Sequence, residues 1–294
     1  MCPHCKQSGL KMKNGCYSLP TTNKKIQRYI CGLCRKGFSD QTFSFDYRWR
    51  KRKINQTIFR MLAKGCSQRG CAQILGVTPQ TVARRVVKFG QVSKDKLDFE
   101  RINGRKYQDI MVDEMESFEH TKLKPVTIPI AVDKKHRKIL ALDVGRIAAK
   151  GHLAKISREK YGPRKCERSQ VLSSFFKEIK IYFGNQGRIV SDESPHYVGP
   201  ISNLLKGIPH IRHKGGRGAI VGQGELKKKA FDPLFQLNHT YAMIRDNIKR
   251  LSRRTWCTTK RIDRLKNMLY IYSNYHNQIL DGIFRPMLVN LSTI

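Results

Sequence analysis

Acidic residues are scarce in this chain. Its 294 residues include 22 Asp and Glu against 58 Lys and Arg, a formal net charge of +36. Such a surface repels itself unless a polyanion neutralises it. Nucleic acid is the expected partner, because each phosphate met by a cation releases counterions and adds affinity whatever the base sequence. Long apolar runs are missing as well: none approaches the ~20 residues of a membrane helix. The start, Met1-Cys2-Pro3-His4-Cys5, has neither the basic stretch nor the apolar segment of a secretory signal. These absences predict a cytoplasmic protein without a membrane partner. No repeat of solenoid length is present. What the chain does have, 39% hydrophobic residues with 13 Phe and 11 Tyr, is too much core material for a disordered basic tail. The length suits two or three domains.

Nine cysteines in a reducing compartment are read as metal ligands or core residues, not as disulfides. Cys2-Pro3-His4-Cys5 and Cys31-Gly32-Leu33-Cys34 are two CxxC pairs that together supply four thiolates. Between them, an Asn14-Gly15 turn and the residues Tyr17, Ile26, Tyr29 and Ile30 read as short strands that bring the pairs together. A segment this polar needs a metal to fold, so residues 1–44 are expected to form a zinc ribbon holding one structural Zn²⁺. Cys16 falls outside the pattern and is expected in the core. His4 is either a substitute ligand or a solvent-facing turn residue.

Residues 48–53, Arg-Trp-Arg-Lys-Arg-Lys, form a basic arm. Helical periodicity follows, with Ile54, Ile58, Met61 and Leu62 on a first stripe. Ser67 is an N-cap for a second helix carrying Cys71, Ile74 and Leu75. A turn at Gly76-Val77 and an N-cap at Thr78-Pro79 open a third helix with Val82, Val86 and Val87. Residues 45–97 therefore read as a basic arm and helix-turn-helix, with Gln80, Thr81, Arg84 and Arg85 on the exposed side of the recognition helix.

Beyond a polar stretch the pattern becomes that of an α/β domain over 98–294. Apolar runs at 110–112, 127–132 and 139–144 read as strands, and Leu172, Phe175, Ile179 and Tyr182 mark a helix. A strand at 188–191 ends in Asp192, and a long helix from about Pro233 carries Leu237, Tyr241, Ile244, Ile248 and Leu251 on one face. The fold class is multi-domain α+β with a C-terminal α/β domain.

Phosphodiester chemistry with two divalent ions needs carboxylate or amide oxygens converging from different elements. Asp113 and Asp192 meet that need if adjacent parallel strands place their ends side by side. Glu114 and Glu193 are each one residue off and should face away, unless the strand stops first and lets either turn inward. Asp133 most simply caps a turn, and Asp143, which also ends an apolar run, competes for the role.

The order of these modules, with Val-Asp-Glu-Met-Glu-Ser-Phe (112–118), Ser-Asp-Glu-Ser (191–194) and Ile-Lys-Arg-Leu-Ser-Arg-Arg-Thr (248–255), resembles a bacterial insertion-sequence transposase of the DDE superfamily. It is most similar to the insertion sequence one type and its zinc-ribbon relatives. The resemblance implies a ribonuclease-H-like catalytic domain with Asp113 as the first acid and Asp192 as the second, two Mg²⁺ or Mn²⁺ ions, and double-stranded DNA partners, both transposon ends and target. It also implies at least a homodimer on DNA, in the bacterial cytoplasm at the nucleoid. The third acid of the family, a Glu ten residues before the Ile-Lys-Arg-Leu segment, is replaced here by Asn238. An Asn carbonyl oxygen is still a Mg²⁺ ligand, without charge. His239 and Asp232 are the alternatives for that position. Arg245, Lys249, Arg250, Arg253 and Arg254, with Lys227-Lys228-Lys229, Lys260 and Arg261, are expected to track the phosphate backbone. The rival readings are a non-catalytic DNA-binding regulator with a degenerate nuclease-like domain and a Mg²⁺-dependent structure-specific nuclease.

Overall fold

In the computed structural model, residues 1–19, 23–214, 232–252 and 256–283 are described. The chain divides into two compact units, Met1–Asn55 and Gln56–Ile294.

The first unit is a three-stranded antiparallel meander of β1 (Lys11–Ser18), β2 (Lys25–Cys31) and β3 (Gly37–Ser39). Asn14-Gly15, expected to turn the chain, instead lies inside β1. Lys13 pairs with Tyr29 but Cys16 with Gln27, so β1 carries one extra residue, a bulge that Gly15 accommodates at φ 66°. Cys16, expected in the core, is exposed, because the bulge lies on a strand with no apolar cover. The core is small: Cys2, Cys31 and Phe38, with Tyr29 stacked on Phe38 at 5.5 Å between centroids. The unit runs past residue 44 through a 3-10 turn at Asp40–Phe43 and includes the basic arm, where Arg52 lies 3.8 Å from Asp46.

The second unit begins with three helices, α1 (Asn55–Ala63), α2 (Gln68–Ile74) and α3 (Pro79–Asn103). Ser67 and Thr78 cap as expected, accepting from the Gly70 and Thr81 N–H groups at 2.9 and 3.3 Å. Gly76, at φ 58°, makes the turn between α2 and α3. α3 is far longer than a recognition helix. It runs unbroken across residue 97, where Leu97 enters the core of the sheet domain. Arg85, expected to be exposed, is buried at 3% exposure, since the inward stripe Val82, Val86, Phe89 takes it in at i+3. Ile74, expected on an apolar face, is exposed instead.

The sheet has the order β6-β5-β4-β8-β9, from β4 (Tyr107–Phe118), β5 (Pro125–Asp133), β6 (Ile139–Leu142), β8 (Phe183–Asp192) and β9 (His210–His213). A short β7 (Gly145–Arg146) also pairs with β5. β4, β5 and β6 are antiparallel neighbours, whereas β4, β8 and β9 are parallel. One face is covered by α3, α7 (Phe235–Asn247) and α8 (Ile262–Leu280), whose Leu237, Tyr241, Ile244, Leu265 and Leu269 pack on Met111, Ile128 and Val190. The other is covered by α5 (Arg168–Lys180) and α6 (Pro195–Leu204), packing Phe175, Phe176, Tyr197 and Ile201 on Ile110, Val112 and Ile189. α4 (Leu153–Tyr161) lies in the connection to α5. The long helix expected through Leu251 ends at Asn247. Ile248, at φ −115° and ψ 90°, breaks it before a 3-10 turn at Lys249–Leu251.

Candidate active site

Asp113 and Asp192 stand next to one another on the α7 face of the sheet. β4 and β8 are parallel, with Met111 opposite Val190 and Val112 opposite Ser191, so the next residues in register are the two aspartates. Period-two alternation puts them on the same face as Met111 and Val190. Asp192 is the last residue of β8, but Asp113 is not at a strand end: β4 continues to Phe118, still paired with β5. What ends at Asp113 is the cover of the neighbouring strand.

Two tyrosines from opposite faces reach Asp113. Tyr241 of α7 donates its hydroxyl to the Asp113 carbonyl oxygen at 2.5 Å. Tyr197 of α6 donates to the Asp113 carboxylate at 3.3 Å, and the Glu114 N–H donates to the same Oδ1 at 2.7 Å. Burial pushes the Asp113 carboxyl up to about 7, and the Asp192 charge adds to the rise, against the two donors. Two carboxylates that repel one another across a strand pair, one of them partly desolvated, form a site that favours a multivalent cation. Their hard oxygen donors suit Mg²⁺ or Mn²⁺.

Glu114, Asp133 and Asp143 are occupied elsewhere, and Glu193 is exposed, its main-chain carbonyl accepting from Arg212. Glu114 faces away, accepting from Thr127 Oγ1 at 2.5 Å with Arg168 Nε at 3.3 Å. Asp133 caps the β5–β6 turn by accepting from the Lys135 and His136 N–H groups. Asp143 pairs with Lys266 at 2.5 Å. Asn238 sits in the first turn of α7, exposed, three residues before Tyr241, and donates to Asp232 Oδ2 at 2.7 Å. Asp232 also accepts from the Leu234 N–H at 2.9 Å, in a turn just ahead of the helix. His239 Nδ1 lies 3.0 Å from Arg137 Nη1, in the turn that follows Asp133. Asp133 pairs with Ile110, three residues and about 10 Å along β4 from Asp113, so His239 is directed away from the aspartates.

Of the expected DNA-contacting residues, Gln80 and Arg84 are exposed and Thr81 half-buried at the start of α3. Gln80 lines a groove of about 520 Å³ whose other wall holds Lys249 and Arg250, with Arg69 of α2 at the rim. Arg250 is partly buried there, which lowers its pKa, and no ion pair to a carboxylate holds it among the described residues. Arg245 is half-buried on α7. Lys249 and Arg250 stand in the 3-10 turn, not on the helix of Asn238 as its spacing suggested. Lys260 lies 3.2 Å from His120 Nδ1, and Arg261 pairs with Asp263. Lys227, Lys228, Lys229, Arg253 and Arg254 lie outside the described residues.

In the first unit, Cys2, Cys5, Cys31 and Cys34 bring their sulfurs within 4.8 Å of one another. Cys2 to Cys34 is 3.7 Å and Cys5 to Cys31 is 3.8 Å. Zn–S bonds of about 2.3 Å in a tetrahedron require sulfur separations near 3.8 Å, so the four cysteines fit Zn²⁺. The Cys34 and Leu33 N–H groups aimed at Cys31 lower its thiol to about 6, which favours the thiolate a metal needs. His4 is turned to the Gly37 carbonyl, its Nε2 at 3.1 Å.

Sequence reasoning missed Tyr197 and Tyr241. The Ser194-Pro195 pair held a signal for the first, because a helix opening directly after Asp192 must lay its first turn over the strand end.

No helix among the described residues is long and apolar enough to cross a membrane. No protein-family model matches the chain. Among solved structures it is similar to the Mos1 transposase catalytic domain with raltegravir and magnesium, at 9% identity over 67% of this chain and 90% of that one, TM-score 0.27. It is similar to the Mos1 mariner paired-end complex with manganese, at 10% identity over 79% and 77%, TM-score 0.27. It is also similar to a pre-cleavage Mos1 transpososome, at 9% identity over 83% and 85%, TM-score 0.20. At these scores the likeness carries no residue role, substrate or metal across to this chain.

Proposed function

We propose that this chain is a DNA transposase of the insertion-sequence-one type in the DDE superfamily, with a zinc ribbon at 1–44, a basic arm and helix-turn-helix over 45–97 and a ribonuclease-H-like catalytic domain over 98–294. The observation that carries the reading is the pair Asp113 and Asp192, adjacent on one face of a mixed sheet at the edge of its parallel part. The excess of 58 cations over 22 acids supports DNA as the partner.

In this reading Asp113, Asp192 and Asn238 hold two Mg²⁺ or Mn²⁺ ions. When bound, these supply Lewis acidity to the attacking and leaving oxygens. Asp113 and Asp192 would form the shared part of that site, and Tyr241 fixes the β4 backbone beneath it. Gln80, Thr81 and Arg84 read the terminal inverted repeat, while Arg245, Lys249 and Arg250 hold the backbone of the same duplex. Water first displaces the 3′ oxygen from the phosphorus at the element end. The freed 3′-OH then attacks a target phosphorus, forming one P–O bond as another breaks, with no covalent enzyme intermediate. Joining two ends requires at least a dimer, working at the nucleoid.

Asn238, bound to Asp232 in place of an acid, favours a second reading as a DNA-binding regulator without catalysis. Labelled terminal-repeat DNA incubated with Mg²⁺ or Mn²⁺ separates the readings. Cleavage at the repeat end that vanishes in Asp113→Ala and Asp192→Ala supports the transposase. Binding without cleavage supports the regulator, and cleavage indifferent to the repeat supports a structure-specific nuclease.

A further inference from the structure

We propose that the first turn of α6 is a positioning device for both aspartates, with Tyr197 holding the Asp113 carboxylate and the Ser194 N–H holding that of Asp192, so that each presents one free oxygen to a divalent ion. The inference rests on the proposed metal site and names residues outside it.

An Asp carboxylate turns easily about its last bond, so two facing carboxylates hold an ion well only when something fixes their orientation. Here Asp113 Oδ1 accepts from the Glu114 N–H at 2.7 Å and from Tyr197 at 3.3 Å. Asp192 Oδ1 accepts from the Ser194 N–H at 3.1 Å. Neither Oδ2 accepts a hydrogen bond among the described residues. The two donors, the N-cap Ser194 and Tyr197 of α6, are three residues apart, so the start of one helix spans both strands.

The Tyr197 hydroxyl is not needed for packing. The side chain is 2% exposed, its ring meets Phe176 edge-on at 6.2 Å, and it belongs to the apolar cluster under α5 and α6. A phenylalanine would fill that space without burying a hydroxyl, which costs free energy unless bonded. Asp113 is the partner that hydroxyl has. From the opposite face Tyr241 pins the Asp113 main chain, so the phenol of Tyr197 and the Glu114 N–H together limit what remains, rotation of the carboxylate.

The test is Mn²⁺ titration of the full-length protein, zinc retained, with free Mn²⁺ followed by electron paramagnetic resonance. Tyr197→Phe should weaken Mn²⁺ binding about tenfold, the size of effect seen when outer-shell partners of metal ligands are removed. Its melting temperature and its DNA affinity without added divalent ion, zinc still in place, should stay at wild-type values. Ser194→Pro provides a second variant, since Ser194 already has the φ of −57° that proline needs and the substitution removes the N–H that meets Asp192. It should weaken Mn²⁺ binding as well. Wild-type Mn²⁺ affinity in both variants would overturn the proposal. So would a loss of DNA affinity and melting temperature in parallel with that of Mn²⁺, the mark of a structural role. Asp113→Ala and Asp192→Ala, which remove the ligand oxygens, are the controls for the underlying reading: if they bind Mn²⁺ as wild type does, the metal site itself is wrong, whatever Tyr197 does.

Discussion

Arg168 Nε lies 3.3 Å from Glu114 Oε1 on the α5 face of the sheet, while Asp113, one residue earlier in the chain, faces α7. The two acids of one dipeptide thus serve different ends. Glu114 neutralises a guanidinium that is 10% exposed, and Asp113 is left to meet Asp192. Asp113→Asn should lower metal-dependent cleavage by more than about a hundredfold, whereas Glu114→Gln should leave it largely intact. Glu114→Ala should instead cost about 2–3 kcal/mol in a chemical melt, less than a fully orphaned buried ion because Glu116 still pairs with Arg168 at 2.6 Å.

Removal of one thiolate should disassemble the first unit. Its apolar core is a few side chains around Phe38, too little to hold a fold of this size without a metal. Cys31→Ser should cost the protein one zinc in native mass spectrometry and should abolish amide protection across β1 to β3. Protection that survives zinc loss would show that the meander folds by itself.

His276 gives the second unit a sensitivity to acid. Its Nε2 lies 3.0 Å from the Arg137 carbonyl, its ring stacks on Tyr272 at 5.7 Å, and burial lowers its pKa against that carbonyl's hydrogen bond, which favours the charged ring, with the Arg137 and His239 charges adding to the lowering. The folded protein therefore prefers the neutral ring, while the unfolded chain takes a proton near its ordinary pKa of about 6.5. Stability from this group is complete above that value and is lost as the pH falls through it. In His276→Gln the decline of melting temperature between about pH 7.5 and 5 should be shallower than in wild type.

The groove between α3 and the Lys249–Leu251 turn should show itself in salt dependence. Lys249→Ala and Arg250→Ala should each weaken binding to terminal-repeat and random duplexes alike, and each should reduce the slope of log K against log salt by about one. Gln80→Ala should reduce the preference for the repeat with little change in slope. An unchanged slope in Arg250→Ala would remove that residue from the DNA path.

How far the sequence foretold these arrangements depended on whether a signal was local. The four zinc-ligand candidates were legible because a CxxC pair states its own geometry. Asp113 and Asp192 were legible because each follows an apolar run, although the run before Asp113 marks the end of β8 beside it and not the end of β4. Arg85 was misplaced because a helix-turn-helix pattern names an outer face, whereas α3 is buried on more than one side by α2 and α8. β9, His-Ile-Arg-His, gave no strand signal: it is a polar edge strand held by its parallel pairing with β8. Tyr197 and Tyr241 were invisible because their importance lies in which distant carboxylate and carbonyl they reach. The break at Ile248 was hidden by apolar residues that continue the helical spacing through a change of backbone.

The continuity of α3 has a mechanical consequence. From Pro79 to Asn103 it spans 25 residues, about 37 Å at 1.5 Å per residue. It is clamped along α8, where Gly90 approaches Asn267 so closely that an added Cβ would lie 2.5 Å from its side chain, and Phe59 wedges between Phe89 and Tyr275. The tip that carries Gln80 and the sheet that carries Asp113 therefore form a caliper of fixed opening. Whatever those first residues of α3 grip is held at a set offset from the two aspartates, and a ligand that presents its two contact points at another spacing can satisfy one end only.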